Sequence, residues 1–367
     1  MSKAAELAAL IGSQTALSNR NLIINGAMQV NQRGNKTNTS GSSVYFVDRW
    51  NLFENTGALA ANLQQSTVVP SGQGFGNSLL IDCTTADSSV AASHVSVLRQ
   101  IIEGQNLQSL AYGTSDAKSL TVSFWVRSTK TGTYALEIYH NATQARHQVH
   151  PYTISSADTW EYKSITFSGD TSATIDNDNQ ATFYVQWALS AGSDYTSGTQ
   201  QTTWANFTDA NRFAGQVNFF DSTSNNFYLT GVQLEVGEQA TPFEHKDFAT
   251  TLDKCQRYYQ VVGDYRGIYT GSRWSSTQIY ATYPLACPLR ASPALSTGGA
   301  FPVLNKYDAA QSASATALVA SAAEAPDAFN TAIVLIYTLT GYTPVANNVY
   351  QVSHNGATTF VVVDSEL

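Results

Sequence analysis

Charge is scarce in this 367-residue chain: Asp, Glu, Lys and Arg make up 13% of it, roughly half the usual quarter. The 19 basic residues form no cluster and are outnumbered by 27 acids, for a net charge of -8. The basic stripe that grips a nucleic-acid backbone is therefore missing, and no polybasic patch offers itself to an anionic membrane. Long apolar runs are missing too. The stretch Thr331 to Tyr337 is among the longest, far below the roughly 20 residues a spanning helix needs, so neither nucleic acid nor membrane insertion is expected. Only three cysteines occur, Cys83, Cys255 and Cys287, odd in number and far apart. They give no disulfide framework, and maturation in a reducing cytoplasm is expected. The opening MSKAAELAALIG carries Glu6 within its apolar stretch and does not read as a secretory signal.

Hydrophobic residues, at 43% with 11% aromatic, suffice for packed cores. Residues 1 to 12 read as a short amphipathic helix, with Ala4, Leu7, Ala8 and Ile11 on one face. So short a helix is marginal alone and needs a surface to lie on. Leu7, Ala8 and Ile11 are the candidate attachment residues.

From Asn21 to about Val236 the pattern is that of strands. Leu120, Val122, Phe124 and Val126 alternate with Thr121, Ser123, Trp125 and Arg127. Phe183, Val185, Trp187 and Leu189 alternate with Thr182, Tyr184, Gln186 and Ala188, and Tyr228, Thr230, Val232, Leu234 and Val236 form a third alternating run. Period-two alternation buries one face of each strand. Turn-rich segments such as STKTGT and SSADT separate the runs, and no crossover helices are visible, so the strands pair antiparallel. The expected fold is all-β: an antiparallel jelly-roll sandwich followed by a second, smaller β domain, with the short N-terminal helix in front. The divisions are 1–20 attachment helix and linker, 21–250 jelly roll, 251–260 a helical connecting segment, and 261–367 a C-terminal β-sandwich. The Ala/Ser-rich stretch from residue 309 fits either a loop or flat small-residue strands.

Catalytic signatures are absent: there is no GxSxG, HExxH or Walker loop. SGQGFGNS at 71–78 has glycines but neither Lys-Ser/Thr nor a following helix, and reads as a surface turn. His147 and His150 are an odd number of residues apart on a strand and point to opposite faces, a poor start for a metal site shared with His140. Asp176 and Asp178 offer oxygen ligands for calcium, but an Asx-rich turn accounts for them as well. No enzymatic activity and no cofactor are expected. Aromatic faces stack on sugar rings, because ring C–H groups are apolar and slightly positive while the π face is negative. Trp187 shares a strand face with core residues. Trp125 lies on a polar strand face, and Trp204 and Trp274 lie in polar segments, so these three are the candidate exposed platforms.

Five motifs in order carry a resemblance: NLIINGAMQVNQRG (21–34), YFVDRW (45–50), SLTVSFWVRS (119–128), TWEYKSITFSGD (159–170) and FYLTGVQLEVGEQATPFEHKDFATTLDKCQRYYQ (227–260). The series resembles tail fibre and tail-associated proteins of tailed bacteriophages. The same frame is similar to jelly-roll carbohydrate-binding modules, which begin with a strand like NLLxNGxFE and close with one like FYxDDVSL. Those modules hold a structural calcium with acids in these strings. Here Gln29 and Thr230-Gly231 stand at those places, and Glu235 and Asp48 are the acids in adjoining segments. The resemblance implies a virion tail fibre protein, assembled in the host cytoplasm, homotrimeric, attached by its N-terminus to other tail or baseplate proteins and recognising host-surface polysaccharide without enzymatic action. On that reading the 261–367 domain is distal, and Arg273, Trp274 and Tyr307 join Trp125 and Trp204 as ligand-binding candidates. Two other readings remain: a structural adaptor, baseplate or head decoration protein without glycan binding, and a polysaccharide-degrading tailspike. The tailspike would normally show a β-helix repeat, which the sequence lacks. The recurring residues also have structural readings: Gly26 as a positive-φ turn, Asp48-Arg49 as an ion pair or turn bond beside Trp50, and Phe243 tucked against the core.

Overall fold

The computed structural model describes residues 19–55, 57–262, 268–273, 275–291, 293–298, 301–305, 308–321, 332–339, 344, 349–353 and 360–367. The proposed N-terminal helix, with Leu7, Ala8 and Ile11, lies outside them, as do Trp274 and Tyr307. Packing divides the chain in two: the first unit comprises the residues up to Thr251 together with Leu367, and the second runs Leu252–Glu366.

The described residues of the first unit form thirteen strands. In chain order they are β1 (Lys36–Thr39), β2 (Val44–Tyr45), β3 (Asn51–Glu54), β4 (Ala60–Ser66), β5 (Ser78–Thr85), β6 (Val95–Glu103), β7 (Leu120–Ser128), β8 (Gly132–His140), β9 (Arg146–Ile154), β10 (Glu161–Phe167), β11 (Ala181–Ala191), β12 (Ala205–Asn206) and β13 (Asn226–Val236). They form a six-stranded sheet in the order β1-β4-β5-β13-β7-β10 and a seven-stranded sheet in the order β12-β9-β8-β11-β6-β3-β2. Pairing is antiparallel throughout both sheets.

The alternation read from the sequence places the core. Leu120, Val122, Phe124 and Val126 of one sheet meet Phe183, Val185, Trp187 and Leu189 of the other, all fully buried. Trp187 packs against Trp50 at 5.6 Å and edge-on against Phe124 at 5.5 Å. Each such side chain contributes about 1.5–3 kcal/mol by leaving water. The expected jelly-roll-like antiparallel sandwich is what these residues build.

The NLIINGAMQV string differs from expectation. It is a turn-rich segment, not a strand, although Ile23, Met28 and Val30 are buried. Side-chain amides replace the ladder. The Asn21 amide donates to the Val232 carbonyl (3.0 Å) and its oxygen accepts from the Ile23 and Leu234 N–H groups (both 3.0 Å). The Asn25 side chain bridges Val30 in the same way. Asn side chains compete with the backbone ladder for its partners, which is why a strand-like pattern here became a hydrogen-bonded turn. The positive φ falls on Asn25 (59°), not on Gly26. Gly26 is needed for closeness instead: a Cβ there would lie 2.1 Å from the Val232 carbonyl oxygen. Asp48 is taken up by Gln32, whose backbone N–H (2.6 Å) and side-chain amide (2.7 Å) both donate to its carboxylate. Arg49 donates to the Ile101 carbonyl at 2.5 Å.

The described residues of the second unit include a helix at Phe248–Gln256, which starts in the first unit's last residues, and nine further strands. The 251–260 segment expected to be a helical connector is helical only to Gln256, because a strand begins at Tyr259. The strands are β14 (Tyr259–Val262), β15 (Ile268–Arg273), β16 (Gln278–Pro284), β17 (Ala294–Gly298), β18 (Phe301–Asn305), β19 (Asp308–Ser321), β20 (Ala332–Leu339), β21 (Val349–Ser353) and β22 (Phe360–Asp364). The expected C-terminal sandwich is replaced by a closed barrel, β15-β16-β20-β19-β18-β21, beside a three-stranded sheet β14-β22-β17. Closure follows because β21 pairs with both β15 and β18, so neither edge is left open. The Ala/Ser-rich stretch resolves as strand β19. Ile279, Ala281 and Tyr283 are fully buried along one face of β16.

Candidate functional site

The outer face of the seven-stranded sheet carries residues that alternation turns away from the core. Register then decides which of them meet. Gln186 of β11 stands opposite Glu137 of β8 on one side and Arg99 of β6 on the other, and Arg99 stands opposite Asn51 of β3. Glu137, Gln186, Arg99 and Asn51 thus make one row across four strands. Tyr184 lies opposite Tyr139, which lies opposite His147, in the next row. Cross-strand neighbours of this kind lie close enough to interact directly.

The floor is a buried network. Glu137 is fully buried and accepts from Arg212 Nε (3.1 Å) and Nη2 (2.7 Å), from the Gln186 amide (3.0 Å), and pairs with His147 Nδ1 at 3.0 Å. Burial alone would raise the Glu137 carboxyl, but the Arg212 guanidinium and the His147 hydrogen bond outweigh it and hold the group below the usual carboxylate range. Arg212 is raised: burial lowers it, and Glu137 more than compensates. The carboxylate and guanidinium therefore cancel one another beneath the surface.

Above this floor runs a groove of about 220 Å³, lined by Phe53, Arg99, Tyr139, Tyr184, Phe207 and Arg212. Tyr139 meets Tyr184 edge-on at 5.4 Å and Phe207 at 4.9 Å. The Arg99 guanidinium sits over the Phe53 ring at 4.3 Å and the Tyr184 ring at 5.3 Å. Its Nε donates to Asn51 Oδ1 at 3.0 Å, which fixes the plane. Its terminal nitrogens make no hydrogen bond to protein among the described residues, and neither does the Tyr184 hydroxyl. Burial lowers the Arg99 pKa, from a start so high that the group remains a cation. Since Arg212 is spent on Glu137, Arg99 is the cation this groove offers. Flat aromatic surface with a fixed, unengaged double donor suits a ring bearing hydroxyl or carboxylate oxygens.

The residues singled out from sequence fall elsewhere. Trp125 lies half-buried on the outer face of the six-stranded sheet, as its alternation implied, in a different groove. Trp204 is not an exposed platform. Its indole N–H donates to the Ser168 carbonyl at 2.5 Å, and its ring packs against Tyr112 (5.8 Å) and Phe183 (6.3 Å) at the edge of the core. A polar stretch of sequence can wrap over a core, and there an indole does more by burial than by exposure. Arg273 is exposed in the second unit, where its Nε donates to the Ser275 carbonyl at 2.9 Å. Phe243 packs edge-on against Phe75 and His245, not on the main core. His147 and His150 do point to opposite faces: His147 joins Glu137, while His150 packs on Phe167 inside. Asp178 makes an Asx turn, its carboxylate accepting from the Gln180 N–H at 3.0 Å. Glu235 accepts from the Thr241 N–H (2.8 Å) and hydroxyl (2.6 Å). Arg99, Tyr139 and Phe53 were missed. Tyr184 had been placed on the non-core face by alternation, the same signal that singled out Trp125, and could have been found that way.

No family model matches this chain, and no curated protein matches it. Among solved structures it is similar to the enzymatically active domain of tailspike protein 4 of bacteriophage CBA120, at 12% identity and a TM-score of 0.33, over 59% of this chain and 21% of that one. The match thus spans about a fifth of the tailspike domain. It is also similar to the C-terminal family 22 carbohydrate-binding module of Clostridium thermocellum Xyn10B, at 13% identity and a TM-score of 0.32, over 61% of this chain and 99% of the module. A third is the family 11 carbohydrate-binding module of a Clostridium thermocellum cellulosomal cellulase, at 16% identity and a TM-score of 0.27, over 56% and 97%.

Proposed function

We propose that this chain is a non-enzymatic glycan-binding protein of a phage virion, a tail fibre component that binds host-surface polysaccharide through the Arg99 groove. The observation that carries the reading is the Arg99 guanidinium, stacked over Phe53 and Tyr184 and pinned by Asn51, with its terminal nitrogens making no bond to protein among the described residues. A cation held in this way costs little further entropy when a ligand oxygen arrives. The ordered motif series from residue 21 to 260 supports the virion assignment. Attachment through the N-terminal segment, trimeric assembly and contact with tail or baseplate proteins complete the proposal. Affinity at one groove of this size is weak, and several copies on one particle raise it by avidity.

The test uses the full chain on an array of bacterial surface polysaccharides. Saturable binding is expected, and Arg99→Ala and Tyr184→Ala each weaken it about tenfold, the scale of one lost stacking or charge-assisted contact. Binding unchanged in both variants removes this groove from the function. A chain that binds no polysaccharide but copurifies with tail or baseplate proteins is a structural adaptor instead.

A further inference from the structure

Trp125 belongs to a groove of about 660 Å³ on the outer face of the six-stranded sheet. Five stretches far apart in sequence build it. From β7 and β10, Trp125 and Tyr162 stand directly opposite one another, and their rings meet at 5.4 Å. From the glycine turn at 71–78 comes Phe75, and from the chain after β13 come Phe243 and His245. These three rings pack at 5.0, 5.2 and 4.9 Å. The floor is Gly231, at φ +61° in the β13 bulge. A Cβ there would come within 2.6 Å of Phe75 and 3.1 Å of Trp125, so glycine is what lets both rings close over the strand.

Thr241 of this groove is engaged by Glu235 and Gln233, but several of its other polar side chains are not. The Trp125 indole N–H, the Tyr162 hydroxyl, the Ser123 hydroxyl, the Gln73 amide and the His245 ring nitrogens make no hydrogen bond to protein among the described residues. Two other indoles are engaged, Trp50 with the Asn25 carbonyl at 3.2 Å and Trp204 with Ser168, while those of Trp160 and Trp187 also lack a partner among the described residues. No Asp, Glu, Lys or Arg lines the groove.

We infer that this groove is a second binding site, for an uncharged saccharide of more than one ring. Aromatic faces supply the stacking surface, and neutral donors and acceptors around them match hydroxyl groups. An anionic sugar would find no Lys or Arg here. An apolar peptide face would bury the Ser123 hydroxyl and the Trp125 N–H without partners, at a desolvation cost with no return. The site goes beyond the Arg99 groove and stands without it: different sheet, different charge, different residues. Two sites of unlike chemistry on one unit would let a single chain engage neutral and acidic segments of the same surface coat, with avidity from the pair.

The experiment titrates the full chain with neutral oligosaccharides of glucose, galactose, mannose and rhamnose, and with a uronic-acid oligosaccharide of equal length, following tryptophan fluorescence. At least one neutral oligosaccharide is expected to give a saturable change that the uronate does not. Trp125→Ala should weaken it about tenfold and Tyr162→Ala severalfold, while Arg99→Ala leaves it unchanged. Tyr162 is 46% exposed, so its variant keeps the test valid even where Trp125→Ala destabilises the fold. The inference is overturned by a neutral panel that gives no binding, by binding unaffected in both Trp125→Ala and Tyr162→Ala, or by binding lost in Arg99→Ala. An oligomer that dissociates in Tyr162→Ala also overturns it, since the groove is then a contact between copies.

Discussion

The two outer faces of the sandwich obey the same alternation and end up chemically unlike. On the seven-stranded sheet, side chains that point away from the core are covered a second time, by the segment that carries Arg212 and Phe213, and a small satellite core forms there around Val97, Val149 and Ala188. Charge is drawn under that cover: Glu137, His147 and Arg212 are buried together. On the six-stranded sheet the groove around Trp125 is neutral, built over a glycine bulge and walled by a turn. The lesson is that period-two patterning says which residues leave the core, while the later course of the chain decides whether they meet water, a ligand or more protein.

The largest expected effect breaks the charged face. Glu137→Ala strands the Arg212 guanidinium beneath the groove without its carboxylate, and should cost about 3–5 kcal/mol in denaturant unfolding of the full chain. A loss below about 1 kcal/mol would mean that Arg212 swings out to water and that the network does not hold the floor.

Acid probes the same sheet from its inner side. His140 of β8 is 1% exposed, packed on Phe183 and Tyr112, and burial pushes its pKa down to about 4, although Asp170 at 4.0 Å pulls the other way. The unfolded chain takes up this proton near pH 6.5 and the folded one only near 4, so stability falls as pH drops through that window. The loss approaches about 3 kcal/mol at the acid end. Glu137, held below its ordinary value of 4.5, adds a loss of the same sign at still lower pH. Thermal melts between pH 7 and 4 should show the slope, and His140→Phe should flatten it. An equally steep slope in that variant would place the acid sensitivity elsewhere.

The smallest effect sharpens the neutral face. Tyr162→Ala should change unfolding stability by less than about 0.5 kcal/mol, because its ring is half in water and its hydroxyl bonds to no described residue. A loss of several times that would make Tyr162 a packing residue and not a platform.

Much of the sandwich was legible before any coordinates. The runs 120–128 and 181–191 alternate cleanly, and the core residues they nominate are buried; in 226–236 the bulge after Thr230 shifts the phase, so Phe227 and Leu229 are buried while Tyr228 and Val236 are only half-buried. The opposite facing of His147 and His150 and the outward placement of Trp125 follow from the same parity. Other readings failed where side chains compete with the backbone or where cover arrives from afar. Asn21 and Asn25 turned a strand-like string into a bonded turn. Trp204 looked solvent-facing because its neighbours in sequence are polar, while its neighbours in space are Tyr112, His140 and Phe183.

Taken alone, the order of residues determined the all-β character, the inward set of each long strand and the scarcity of charge, because these are local properties of spacing and composition. Tertiary structure decided that Gln186 would stand between Glu137 and Arg99, that a glycine turn at 71–78 would wall a groove with Trp125, and that the C-terminal strands would close into a barrel. Each of those depends on register between segments tens to hundreds of residues apart, and a shift of one residue in any pairing would send the same side chains to the opposite face.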